Sequence, residues 1–322
     1  MIIHLWLESI YQFYKVFTLF NDPEFSFDAY LKLLSHAISR LTALIVQTST
    51  TLRARDYLFF YNQIFDLNNR FKSMCAAEGV ADGCYKILWV YFTFVYVHPI
   101  SVAFNYYNDN MNERYWQSIL RRTKYYPYTI PFFAAGEFIL SVFSNMILIP
   151  GYVIVLHMYS SRTWLKFLKT HKAQLDAGGS RKVEILYRTM QLHNKTFNDL
   201  CAVLWSFGLF GILFNSVLAN VCTVRFVHVL PFPSNMMFIV GASTFLFGDV
   251  TIFTAAGEVV ETSLEFLRCM SVTTDREQMM FSRSCGRLRI EARPFFYHQK
   301  CTIITFMRLV MDQTISVLVL DA

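Results

Sequence analysis

Charge is what this sequence has least of. Asp, Glu, Lys and Arg make up 16% of its 322 residues, where ordinary soluble domains carry roughly 25%. A soluble protein of this length needs a polar surface that these residues cannot supply. Catalytic signatures are missing as well: no nucleotide-binding glycine loop, no HExxH helix and no nucleophile elbow. Nothing in the sequence points to an enzyme or to a bound cofactor. Seven cysteines (Cys75, Cys84, Cys201, Cys222, Cys269, Cys285, Cys301) form no CxxC or Cys/His ligand spacing, and their odd number argues for free thiols. No repeat of the transporter kind and no low-complexity linker divides the chain, so residues 1–322 read as one membrane domain. The first twenty residues are apolar but interrupted by Glu8 and Lys15. Without a basic n-region or a small-residue cleavage site they are not a signal peptide.

What is there in quantity is apolar. Hydrophobic residues reach 54% and aromatics 17%, and mean hydropathy is +0.34. The class is an all-α, polytopic membrane protein. Its net charge of +6 is therefore no argument for nucleic acid; the bilayer is the expected surrounding. Seven spans are expected. Met1–Phe20 is short and ends at Asn21-Asp22-Pro23. Leu31–Leu52 is the weakest, because Lys32, His36 and Arg40 make a polar stripe that must meet protein, water or headgroups. Ile87–Tyr106 holds His98-Pro99, a kink site, and Tyr128–Tyr159 holds Pro131, Glu137 and Pro150-Gly151. The latter exceeds a bilayer's needs and should tilt or project. Leu200–Val221, Met236–Ala256 (with Asp249) and Thr302–Leu320 complete the set. Between them, Arg53–Gly83, Asn108–Tyr126, Ser160–Asp199 (turning at Gly178-Gly179) and Glu258–His298 are expected as loops or amphipathic connections.

Basic residues orient the bundle. Lys and Arg number four in 53–83, eight in 161–198 and six in 259–298. The opposite set has none in 21–30, four in 107–126 and one in 223–235. The positive-inside rule places the first set in the cytoplasm, giving a cytoplasmic N-terminus and an extracellular C-terminus. Three short motifs then lose their force. The sequon Asn194-Lys195-Thr196 falls on the cytoplasmic side and should be silent. His171 and Asp176 have an acyltransferase-like spacing but no phosphate-binding stretch beside them. Glu113-Arg114-Tyr115 echoes a G-protein-coupled receptor triplet, yet lies in an outer loop, and no Asn-Pro-x-x-Tyr supports it.

The C-terminal stretch carries the functional information. A basic turn, Ser284-Cys285-Gly286-Arg287-Leu288-Arg289, leads to Phe295-Phe296-Tyr297 and then to the last span, with Arg308 and Asp312 one helical turn apart inside it. Two readings follow: an i,i+4 ion pair that merely packs the helix, or ionisable groups facing a cavity or pore. Leu309, Asp312, Gln313, Ser316 and Leu320 share one face, a polar band between apolar residues.

This stretch resembles the arthropod chemoreceptor superfamily of gustatory and odorant receptors. The gustatory branch carries Thr-Tyr, five hydrophobic residues and Gln-Phe in its last helix; here Thr305-Phe306, Met307 to Met311 and Asp312-Gln313 stand at that spacing. The chain departs at Arg308, at Asp312 and at Gln313. The approach through Ser284–Leu288, Phe295-Phe296, and Ala256-Gly257-Glu258 are also similar, so the specific resemblance covers residues 245–320. The short N-terminus points to a divergent member or an incomplete gene model.

The resemblance implies a ligand-gated, nonselective cation channel in the plasma membrane. It would be a homo- or heterotetramer, with 259–298 as an anchor-type segment and 299–320 as the pore-lining helix. A ring of Asp312 carboxylates would attract monovalent and divalent cations, with Leu309 closing the pore by dewetting. In the expected orientation Tyr96, His98, Phe104, Phe132, Phe133, Glu137, Met236 and Phe238 lie in the outer halves of their spans. Aromatic walls with a few polar groups suit a small organic tastant or odorant. Competing classes are a secondary transporter coupled through Asp249, Arg308 and Asp312, and an accessory membrane protein without transport.

Overall fold

The computed structural model describes residues 2–20, 27–74, 99–100, 102–103, 106–107, 126–145, 148–176, 182–228, 236–272, 275–292 and 296–319. The third expected span falls mostly outside this set, as do Gly178-Gly179 and the Glu113-Arg114-Tyr115 triplet.

Helices α1 (Ile2–Phe20) and α2 (Phe27–Leu52) lie side by side. Val16 packs there against Leu33 and Ala37, with Phe13 and Tyr30 closing the seam. Helix α3 (Ala54–Met74) follows almost at once. The connection expected over 53–83, a loop with some helical character, is helical through Met74, its core face set by Tyr57, Phe60, Ile64, Leu67 and Phe71 at helical spacing. Arg53 pins the α2–α3 corner, donating to the carbonyls of Asp199 at 2.8 Å and Leu200 at 3.1 Å.

Helices α4 (Tyr126–Asn145) and α5 (Leu148–Asp176) cover the expected fourth span and run well past it. Helix α6 (Lys182–Phe226) has 45 residues, roughly 67 Å at ~1.5 Å per residue, and α7 (Met236–Ser271) has 36. Both exceed a hydrocarbon core of about 30 Å. The expected loop at 160–199 is therefore corrected: its described residues are the end of α5 and the start of α6, protruding helices rather than loose chain. Charge patterning does not reveal where such helices end, because a charged segment stays helical when its inner face still packs.

These protruding ends form a base. Trp164, Leu165 and Leu168 of α5, Val183, Tyr187 and Phe197 of α6, and Val259 and Phe266 of α7 are fully or almost fully buried in one core with Phe60 and Phe71. Short α8 (Arg276–Ser284) is capped by Asp275, whose side chain accepts from the Glu277 N–H. A two-residue antiparallel pair, β1 (Glu291–Ala292) and β2 (Phe296–Tyr297), follows it. It is the one departure from the all-α class among the described residues. The last helix, α9 (Thr302–Val319), leans on α6 and α7.

Of the described helices, three hold a stretch long and apolar enough to cross a bilayer: Phe207–Phe226, Phe238–Ser271 and Thr302–Val319. Helices α1, α2 and α4 are less apolar, and three of their ionisable residues, Glu8, Arg40 and Glu137, are buried. Arg40 of α2 lies 3.2 Å from Glu137 of α4 and 3.8 Å from Glu8 of α1, all three side chains at most 5% exposed. Arg40, at one end of the polar stripe on α2, thus meets protein, the condition under which a charge can sit in a membrane.

Candidate pore helix and the base that holds it

Helix α9 begins from a tight turn. The Gln299 N–H donates to Thr302 Oγ1 at 2.8 Å, and the Thr302 N–H returns to the Gln299 carbonyl at 3.0 Å. This turn presses on α7 at Gly257, where a Cβ would stand 2.9 Å from both Cα and N of Lys300. Only glycine admits that approach. The flanking residues complete the joint: Ala256 is buried, Glu258 pairs with Arg162 of α5 at 2.7 Å, and Lys300 reaches Glu261 at 3.2 Å. The Ala256-Gly257-Glu258 segment is therefore where the base grips the start of the last helix.

The basic turn before α9 is fixed with equal detail. The Leu288 N–H donates to Ser263 Oγ at 2.8 Å, and Tyr187 shares a hydrogen bond with the same hydroxyl at 2.9 Å. Gln191 donates to the Gly286 carbonyl at 2.6 Å. Asn194 and Asn198, one turn apart on α6, both donate to the Arg289 carbonyl at 2.8 Å. Asn194 Nδ2, the atom a glycan would occupy, is thus committed to the fold, and Asn194 is only 5% exposed. Behind it His157 packs on Phe197 with ring centroids 4.1 Å apart, and His193 stacks on Phe60 at 4.3 Å. Burial pushes the His193 imidazole down from 6.5 to about 4. It does the same to His298, which sits between Trp205 and Phe253 just before α9. Burial also raises the Tyr187 phenol and the Cys285 thiol. Sequence reading missed this network, since a histidine or asparagine on a helix carries no signal of what faces it.

Only one side of α9 is covered. Phe306 packs on Phe253 with centroids 4.8 Å apart, and Val310 joins Val217, Leu218 and Val221 of α6. Val310 and Thr314 are the buried residues of the helix. Leu309, Asp312, Gln313 and Ser316 are all exposed, as is Thr305. Arg308 and Asp312 pair along the surface at 3.7 Å, with side chains 83% and 62% exposed, so the pair does not pack this helix onto its own subunit. Ser316 Oγ donates to the Asp312 carbonyl at 2.8 Å. Leu320 lies outside the described residues.

The residues expected to line a ligand cavity are scattered in what is described. Tyr96, His98 and Phe104 fall outside the described residues, and Met236 is placed only as the first residue of α7. Phe132 and Phe133 meet edge to face at 5.6 Å on α4, and Phe238 tilts against Phe226 at 5.6 Å. Glu137 is engaged with Arg40. Nor does the structure gather the three residues a transporter would couple through. Asp249 is buried on α7, accepting from Ser216 Oγ at 3.2 Å, whereas Arg308 and Asp312 face outward.

No family model and no curated protein matches this sequence. The fold itself has solved counterparts. The insect olfactory receptor OR5 from Machilis hrabei superposes with a TM-score of 0.71 at 12% identity, over 98% of this chain and 87% of that one. This chain has the insect olfactory-receptor fold. The same receptor in complex with eugenol matches with a TM-score of 0.65 at 13% identity, over 98% and 88% of the two chains. The superposition covers 98% of this chain in both cases, far beyond the C-terminal stretch alone.

Proposed function

We propose that this protein is a chemoreceptor subunit, a ligand-gated nonselective cation channel assembled as a tetramer around α9. The observation that carries the proposal is the bare polar face of α9 on a chain with the olfactory-receptor fold. Leu309, Asp312, Gln313 and Ser316 find no cover within the subunit. Four copies turned inward would give that face an aqueous lining, with Asp312 forming a carboxylate ring that concentrates cations. The base, where the basic turn and Gly257 fix the start of α9, is suited to hold four such helices in register. In this reading the base and the N-terminus are cytoplasmic, the last residues extracellular, and the membrane is the plasma membrane.

The ligand is a small, mostly apolar organic molecule, as eugenol is for the structural counterpart. Phe132, Phe133, Phe238 and Met236, with Tyr96, His98 and Phe104, are the proposed walls, and Glu137 a polar neighbour held by Arg40. Taste and smell draw on the same chemistry here, and the reading covers either. The test is expression in a heterologous cell, alone and with related receptors, under a panel of volatile and sapid organics. Ligand-evoked cation currents and particles with four-fold symmetry support the proposal. A well-expressed, monomeric protein without evoked current would instead favour an accessory role.

A further inference from the structure

The basic turn and α6 enclose a cleft that neither the α9 face nor the proposed ligand walls use, about 190 Å³ in volume. Gln191, Asn194, Lys195 and Asn198 form its α6 side, at helical spacing along one face. The three amides hold the turn by the carbonyls of Gly286 and Arg289, and Asn198 Oδ1 also accepts the Glu291 N–H at 3.2 Å. Along the turn Leu288 and Ile290 are buried, while Arg287 is half-buried and Arg289 exposed. That alternation puts both arginines on the outer side, where they line the cleft. Tyr297, opposite Glu291 in the β1–β2 pair, is their platform. The guanidiniums lie 5.2 and 4.8 Å from its ring centroid, and Arg287 donates to its hydroxyl at 2.9 Å. Lys195 is exposed. Among the described residues none of these three cations is in an ion pair, either with Glu291 of the same cleft or with any other carboxylate. Arg293, the one charged residue between Glu291 and Tyr297, lies outside the described residues.

We propose that this cleft binds a phosphate monoester, carried by a soluble molecule or by a lipid headgroup, through Arg287, Arg289 and Lys195. Such a group carries about −1.5 to −2 charges at pH 7 and three acceptor oxygens, and the planar N–H pairs of guanidinium match those oxygens. A carboxylate would answer fewer of the donors. Leu288 is the only apolar residue of the described lining, so an odorant-like molecule finds little to bury against. Pockets that enclose a whole small ligand run to roughly 300–1,000 Å³. This cleft is smaller and suits one phosphate group whose carrier stays outside. In the proposed orientation the base is cytoplasmic. Asn198 stands nine residues before the apolar stretch that opens at Phe207, roughly 13 Å at ~1.5 Å per residue. A headgroup of the inner leaflet and a soluble phosphate can both reach it. The bound anion would clamp the turn onto α6, just ahead of α9.

Binding is measured on the full-length protein in detergent at fixed ionic strength and pH, with no odorant present and no current recorded. Inositol 1,4-bisphosphate is the soluble probe, dioctanoyl phosphatidylinositol 4-phosphate the lipid probe, and dioctanoyl phosphatidylserine the control for charge alone. The expected result is saturable binding of a phosphate-monoester probe with a rise in thermal midpoint, and binding of the serine lipid at least tenfold weaker. Binding of both probes shows that the phosphates suffice, and binding of the lipid probe alone assigns a headgroup; either upholds the site. Arg289→Gln and Lys195→Gln should each weaken the probe about tenfold. Neither side chain makes a hydrogen bond or ion pair with another described residue, so these variants keep the fold, and their combination decides. Unchanged affinity in the folded double variant overturns the site. So does equal binding of phosphatidylserine, or no saturable binding of either probe. A protein that binds the phosphate yet carries no current upholds this inference while refuting the channel; evoked currents without such binding refute this site alone.

Discussion

Single residues decide whether the helices of this bundle can sit where they do. Arg40 is one such residue, because its charge is shared among α1, α2 and α4. Replacing Glu137 by Leu removes the carboxylate 3.2 Å from this buried guanidinium, at a cost of about 3–5 kcal/mol if the remaining charges stay buried and imperfectly paired. Surface expression of Glu137→Leu should therefore fall sharply, and the double variant Arg40→Met/Glu137→Leu should recover part of it; cell-surface labelling of both measures the difference. In the base, His193 and His298 are the sensitive groups. Each has a folded pKa of about 4 against 6.5 in the ordinary imidazole, so the unfolded chain binds more protons between those values. Stability should be flat above pH 7, decline as pH falls through 6.5, and level off only below 4. Thermal midpoints across that range measure it, and His193→Phe should reduce the slope. Asn194 makes a third prediction. Its amide is spent on the Arg289 carbonyl, so glycosidase should leave the protein's mobility unchanged, and a glycan there would contradict both the packing and the orientation.

At the scale of elements, the joint between α7 and the α9 turn is where the base meets the last helix. Gly257→Ala would drive a methyl group to 2.9 Å from the Lys300 backbone, which no side-chain rotation relieves. The turn must shift, at a cost of roughly 1–3 kcal/mol. Gating should change more than folding: the variant should reach the surface with altered agonist efficacy, read from dose–response currents. The ion pair on α9 gives a complementary prediction. With both side chains exposed in the subunit, Arg308→Met/Asp312→Leu should leave the fold of the chain intact, as read by circular dichroism and surface labelling. Any loss should be one of assembly or conduction.

For the whole molecule, what could be read in advance follows from what sequence encodes locally. The mostly helical class and the last three expected spans were legible, because bilayer hydropathy is a one-dimensional signal. The long continuations of α5, α6 and α7 were not. Ser160–Asp199 is charged enough to resemble a loop, and only its buried face, with Trp164, Leu168, Tyr187 and Phe197, reveals a packed helix pair. Glu8, Lys32, His36, Arg40 and Glu137 were visible as interruptions of apolar spans, but the pairing of Arg40 with Glu8 and Glu137 across helices α1, α2 and α4 is a property of three dimensions. Likewise Asp312 could be placed on a polar face by periodicity, while its exposure in the folded subunit required the packing of Phe306, Val310 and Thr314 on the opposite side. The central claim, that this face lines a cation pathway, is tested most directly by reversal potentials under ion substitution. Wild-type and Asp312→Asn would be recorded with the same agonist and matched for surface expression. A loss of cation-over-anion selectivity or of divalent block in Asp312→Asn, with assembly preserved, is the predicted result; identical selectivity in the two proteins would contradict it.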